Sequence, residues 1–137
     1  MTQIVDISAL HAALVYFVVL VAIFCALTFR VIFCRRAKKI GIGDGGDRQL
    51  ARLVRVHGNF VEAATFGIPA IFGLVLAGSP PWPVHVVAVL FIAGRLAHAQ
   101  GLSGSAGASI GRAAGMVLTW AALVSACIGI LSRVLAS

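Results

Sequence analysis

Four long apolar stretches, separated by short polar or glycine-rich breaks, dominate the chain. Residues 12–29 carry no charge, and Arg30, Arg35 and Arg36 close that run. A bilayer is crossed by about 20 apolar residues in a helix, so a first span is predicted over residues 8–30. Glycines follow, and Asp47 is placed to N-cap the next helix. A second span is predicted over 47–78, polar as far as Glu62 and apolar beyond, with Pro69 inside. Pro80-Pro81-Trp82-Pro83 makes an uncharged turn, and Trp82 suits a membrane interface. A third span over 82–101 carries Arg95 and His98 near its end. The small-residue connection Ser103 to Ser109 leads to a fourth span over 112–133. No repeat or second domain interrupts this order. Residues 1–137 therefore read as one all-α membrane protein domain, a four-transmembrane-helix bundle.

Composition narrows the class further. Hydrophobic residues make up 61% and charged residues 11%, and the mean hydropathy is +1.05. A soluble domain carries about a quarter charged residues, and a core of this size cannot hide that much apolar surface from water. A soluble enzyme and a disordered chain are both excluded. The net charge of +7 would suggest nucleic acid in a soluble protein. Here seven of the eleven cations lie between Arg35 and Arg55, which is a positive-inside signal and no sign of a nucleic-acid partner. The first and third connections are expected on the cytoplasmic side, the middle turn and both termini on the other. Cys25, Cys34 and Cys127 have no metal or redox spacing, so no metal is expected, and Cys25 and Cys127 are expected in the core. The N-terminus lacks a basic region before its apolar run, so no cleaved signal peptide is expected.

Polar residues at or inside a span are costly and normally face protein or a water-filled cavity. At 100° per residue, Arg48, Arg52, Arg55, Asn59 and Glu62 fall within one arc of about 80° on the second span. Arg55 and Glu62 could form a purely structural ion pair. One glutamate does not neutralise three arginines, however, and the surplus suits an anionic ligand or lipid headgroup. Asn59 offers donors and acceptors to a peptide-like ligand, and Glu62 could receive an ammonium. On the third span Arg95 and His98 share a face. Arg95 could instead snorkel, and His98 could be structural. Arg112 opens the fourth span, where a cation opposes the helix dipole unless an anion sits there. A thiolate is such an anion. A positive-inside anchor is the plainer account of Arg112.

These residues carry a resemblance. Arg55-Val56-His57-Gly58-Asn59-Phe60-Val61-Glu62 resembles the RxxxNxxE signature of the MAPEG family, the membrane-associated proteins in eicosanoid and glutathione metabolism. Gly94-Arg95-Leu96-Ala97-His98 resembles that family's GRxxH segment, and Arg112 its arginine at the start of span four. The order and spacing agree over about residues 10–133, and the first loop most resembles the small bacterial branch. The resemblance implies a homotrimer in a bacterial inner membrane, with glutathione bound between subunits near the cytoplasmic side. Arg55, Asn59 and Glu62 would then hold glutathione, Arg95 and His98 would line or brace the site, and Arg112 would stabilise the thiolate. Arg52 joins the binding set, and Arg30 or Arg35 would match a span-one arginine that reaches glutathione. Eukaryotic members use tyrosines on spans three and four; here the aligned positions are about Leu102 and Met116, and Tyr16 is the single tyrosine.

The expected function is therefore a glutathione-dependent membrane enzyme. It would conjugate glutathione to a lipophilic electrophile, or reduce a lipid hydroperoxide, with the second substrate entering from the bilayer. The alternatives are a non-catalytic lipid- or glutathione-binding protein of the same fold, and a small transporter using Glu62 as its ion-coupling carboxylate. Histidines toward both ends (His11, His85, His57, His98) would also fit a two-haem protein. That reading leaves the arginines unexplained, and His57 lies off the stripe.

Overall fold

A computed structural model describes residues 5–104 and 109–136. It contains four helices: α1 (Ile7–Lys38), α2 (Arg48–Leu76), α3 (Pro81–Gly104) and α4 (Ile110–Leu135). All four are long and apolar enough to cross a membrane. The expected spans are all present. α1 continues two turns beyond the predicted end at residue 30, because Arg30, Arg35 and Arg36 are good helix formers that lift the helix out of the bilayer without ending it. Most of the Ser103 to Ser109 connection lies outside the described residues; Ser103 itself is still in α3 and Ser109 caps α4.

Side chains close the helix ends. Asp6 accepts from the backbone N–H of Ser8 at 2.8 Å and of Ala9 at 3.1 Å, which satisfies donors that a helix start leaves unpaired. Asp47 caps α2 by accepting from Leu50 N at 2.8 Å, as its sequence position predicts. It also pairs with Lys38 at the end of α1, so one carboxylate joins both sides of the first loop. That hydrogen bond from Lys38, with the one from Leu50, holds the Asp47 carboxyl below the ordinary carboxylate value. α2 ends where Gly78, at φ 72°, takes the left-handed conformation. There Ser79 N donates to Leu74 O and Gly78 N to Val75 O, both at 3.0 Å, the paired bonds of a Schellman stop. Pro81 then opens α3 at the first helical position, where its missing N–H costs nothing.

α2 touches all three other helices, whereas α1 packs on α2 and α3 and does not meet α4. The core is made by Leu20 and Leu27 of α1, Phe60, Ile71 and Leu74 of α2, Val84, Val87 and Phe91 of α3, and Ala122 and Ala126 of α4. α3 and α4 approach most closely. A Cβ added at Gly115 would lie 2.5 Å from His98 N, and one at Gly94 would lie 2.7 Å from Thr119 Oγ1. Small residues facing each other allow this contact, as in other membrane helix pairs. Cys25 and Cys127, expected in the core, are instead exposed on the bundle surface. In lipid an apolar run has no preferred inside face, so hydropathy does not locate the core.

Candidate functional site

The third helix places Arg95 at the centre of the bundle. Its side chain is 5% exposed, yet no carboxylate pairs with it among the described residues. Neutral oxygens replace the carboxylate. Nε donates to Thr119 Oγ1 at 3.0 Å, and one terminal nitrogen donates to the same oxygen at 2.7 Å and to Gly115 O at 3.5 Å. The other terminal nitrogen donates to Asn59 Oδ1 at 2.8 Å and to Asn59 O at 3.4 Å. A guanidinium has five N–H groups, so each has an acceptor. Thr119 is matched to this task. Its hydroxyl donates to Gly115 O at 2.8 Å, which leaves both lone pairs to receive Arg95. One side chain thereby ties α2, α3 and α4 together.

This network redefines Asn59. By its chemistry alone the amide offers both donors and acceptors. Arg95 takes one lone pair of the carbonyl oxygen, so the side chain still offers its two N–H donors and one acceptor position. Its neighbours on the polar stripe remain at the surface. Arg55 and Glu62 form an ion pair at 3.4 Å, with their side chains 64% and 60% exposed in the single chain.

His98 is also buried, and its Nδ1 lies 3.3 Å from Arg112 O. Through this contact His98 of α3 meets the first turn of α4. Ser109 caps α4 by accepting from Arg112 N at 3.3 Å and itself donates to Gly101 O at 3.2 Å. Arg112 thus stands on a helix start anchored to α3.

Arg30 and Arg52 meet elsewhere, in a cleft of about 190 Å³ between α1, α2 and α3 whose other walls are Gln49, Leu53 and Ser103. Arg52 Nε is held by Arg48 O at 3.2 Å. The Ser103 hydroxyl is buried without a hydrogen-bond partner among the described residues, which is costly unless a ligand or water supplies one. A second cleft of about 440 Å³ shares Arg30 and Ser103 and is otherwise mostly apolar, with Ile23, Leu27 and Leu96 in its wall. Arg35 is turned away to the first loop, donating to Gly43 O at 2.7 Å. His57 faces α1, with Nε2 3.0 Å from Thr28 Oγ1, consistent with its place off the stripe.

Sequence reasoning missed Thr119, Gln49 and Ser103. Thr119 had one available signal: Gly115 and Thr119 are two small residues four apart on a membrane helix, the spacing of a close helix contact. Gln49 and Ser103 had none, since each acquires its place only when α1, α2 and α3 pack.

A four-helix membrane bundle with a buried arginine hub and a cationic cleft beside an apolar one is the class these features define. The chain belongs to the MAPEG family, which matches residues 13–132. It is similar to the inner membrane protein YecN of Escherichia coli K12, at 31% identity over 118 residues, which are 86% of this chain and 85% of that protein. The YecN protein of Escherichia coli O6:H1 matches to the same extent. No solved structure matches the chain.

Proposed function

We propose that the protein is a glutathione-dependent membrane enzyme that joins glutathione to a lipophilic electrophile, or reduces a lipid hydroperoxide, at the cytoplasmic boundary of the inner membrane. The observation that carries this reading is the pair of clefts sharing Arg30 and Ser103. One is cationic and polar, the other apolar and of ligand size. A water-soluble anionic thiol and a bilayer-soluble partner need such neighbouring compartments.

In this reading glutathione lies between two subunits: Arg30 and Arg52 of one and Arg55 of the other take its carboxylates, Glu62 its ammonium, and the Asn59 N–H donors a carbonyl oxygen. Arg95 and His98 brace Asn59 and Arg112 from behind. Arg112, at a helix N-terminus, stabilises the thiolate, which is the reactive nucleophile. In conjugation the sulfur forms a bond to the electrophilic carbon as a leaving group departs or an epoxide ring opens. The active unit is a homotrimer. The Arg55–Glu62 pair would otherwise face lipid from a spanning helix, at a cost of several kcal/mol, and a neighbouring subunit removes that cost. Loops one and three face the cytoplasm, following the cluster of cations from Arg35 to Arg55.

Non-catalytic binding of glutathione or lipid by the same fold is the second reading. It is favoured by Leu102 and Met116, which put no hydroxyl where the family's eukaryotic enzymes have tyrosine. Calorimetric titration of glutathione into the detergent-purified protein tests the site, with Glu62→Ala as control. Saturable binding, weakened at least about tenfold in the variant, is expected from loss of one charge-assisted contact. Equal affinity in parent and variant would overturn the assignment of Glu62. Turnover of a model electrophile then separates enzyme from binder.

A further inference from the structure

The opposite end of the bundle, away from loops one and three, carries a second cleft that the glutathione reading does not use. It measures about 370 Å³ and lies between the start of α3 and the end of α4, with Ser79, Trp82, Val86, Val87, Ile128 and Arg133 in its wall. Its chemistry is graded along its length. Trp82 and Arg133 mark the mouth, and Val86, Val87 and Ile128 lie about 7 Å deeper at the helical rise. Arg133 makes no ion pair among the described residues. Ser79 is 2% exposed and borders the cleft.

A cation and a serine hydroxyl beside an apolar slot fit an amphiphile with an anionic head. The slot opens at the membrane boundary, where Trp82 is 68% exposed and suited to the headgroup region. We infer that this cleft is a binding site for one anionic phospholipid of the leaflet on that side, with its phosphate on Arg133 and Ser79 and an acyl chain along Val86, Val87 and Ile128. Among the described residues of the cleft wall Arg133 is the only charged one, so charge complementarity favours an anionic over a zwitterionic lipid.

The chain has two tryptophans, Trp82 and Trp120. Trp120→Phe leaves Trp82 as the reporter, and Trp82→Phe leaves Trp120, which is 62% exposed on α4 and outside the cleft wall. The full chain is reconstituted in phosphatidylcholine vesicles containing either brominated phosphatidylglycerol or brominated phosphatidylcholine. Bromine quenches tryptophan only in contact. Trp82 is expected to prefer the phosphatidylglycerol about fivefold, the scale of one cation near an anionic lipid. That preference should be lost in Arg133→Ala, kept in Arg133→Lys and absent at Trp120. Equal quenching of Trp82 by both lipids would overturn the proposal, as would a preference that survives Arg133→Ala. Shielding from both lipids that deepens with protein density would overturn it too, and would give the cleft to a second copy of the chain.

Discussion

Replacing Thr119 by valine isolates the hydroxyl that receives Arg95 while keeping the side chain's shape. The threonine oxygen accepts from Nε at 3.0 Å and from a terminal nitrogen at 2.7 Å. Valine removes both bonds and leaves two N–H groups of a buried cation without an acceptor. In water, a hydrogen bond to a charged group contributes about 1.5–3 kcal/mol. Interhelical bonds in membranes average about 0.6 and reach about 1.7 kcal/mol, because the separated helices find other partners. Two bonds near the upper end of the membrane range, from a side chain only 5% exposed, give an expected loss of about 3 kcal/mol. Reversible unfolding in mixed micelles measures it, and Thr119→Ser should recover most of it. Arg95→Met supplies the decisive background. Without the guanidinium, Thr119→Val should cost less than about 0.5 kcal/mol, since the hydroxyl then satisfies only Gly115 O. A loss of the same size with and without Arg95 would refute the hub and leave Thr119 as a packing residue.

Three further outcomes are expected. Arg112→Ala should reduce the ultraviolet thiolate absorbance of bound glutathione more than it reduces affinity, and equal absorbance in variant and parent would contradict the role given to Arg112. Gly115→Ala should destabilise the bundle by about 1–3 kcal/mol, the range for overpacking, since its Cβ would lie 2.5 Å from His98 N and 2.6 Å from Gly94 O; an unchanged unfolding midpoint would count against the close α3–α4 contact. Because the Asp47 carboxyl is held below its ordinary value, its contribution is fully present above that value and is lost as pH falls through the lowered one. Proteolysis of the first loop should therefore be flat across neutral pH, rise only in acid, and rise at neutral pH in Asp47→Asn.

The clefts also show why one charged stripe serves several tasks. Arg52 turns to the α1–α3 side while Arg55 pairs with Glu62 on the exposed face, and Asn59 points its oxygen to Arg95. Residues that share an arc of one helix are parted by the neighbours they meet. The stripe is continuous in sequence terms and divided in three dimensions into a hub, an ion pair and a cleft.

Local chemistry made much of this protein legible from its sequence. The four spans follow from runs of apolar residues, since a bilayer admits only helices that satisfy their own backbone at that depth. Asp47 as a cap, the proline turn and the polar face of α2 follow from rules acting within a few residues. Family membership follows from motif order and spacing. What the sequence left open depends on contacts between helices. Hydropathy placed Cys25 and Cys127 inside because it does not distinguish lipid from core, and packing put them outside. The sequence marked Arg95 and Asn59 as polar, but only the α2–α3–α4 junction makes each the other's partner. Thr119 and Ser103 acquire their places when glycines let helices approach and when α1 closes over α3. Helical periodicity fixes which residues share a face, and it carries no information about which face of another helix they will meet.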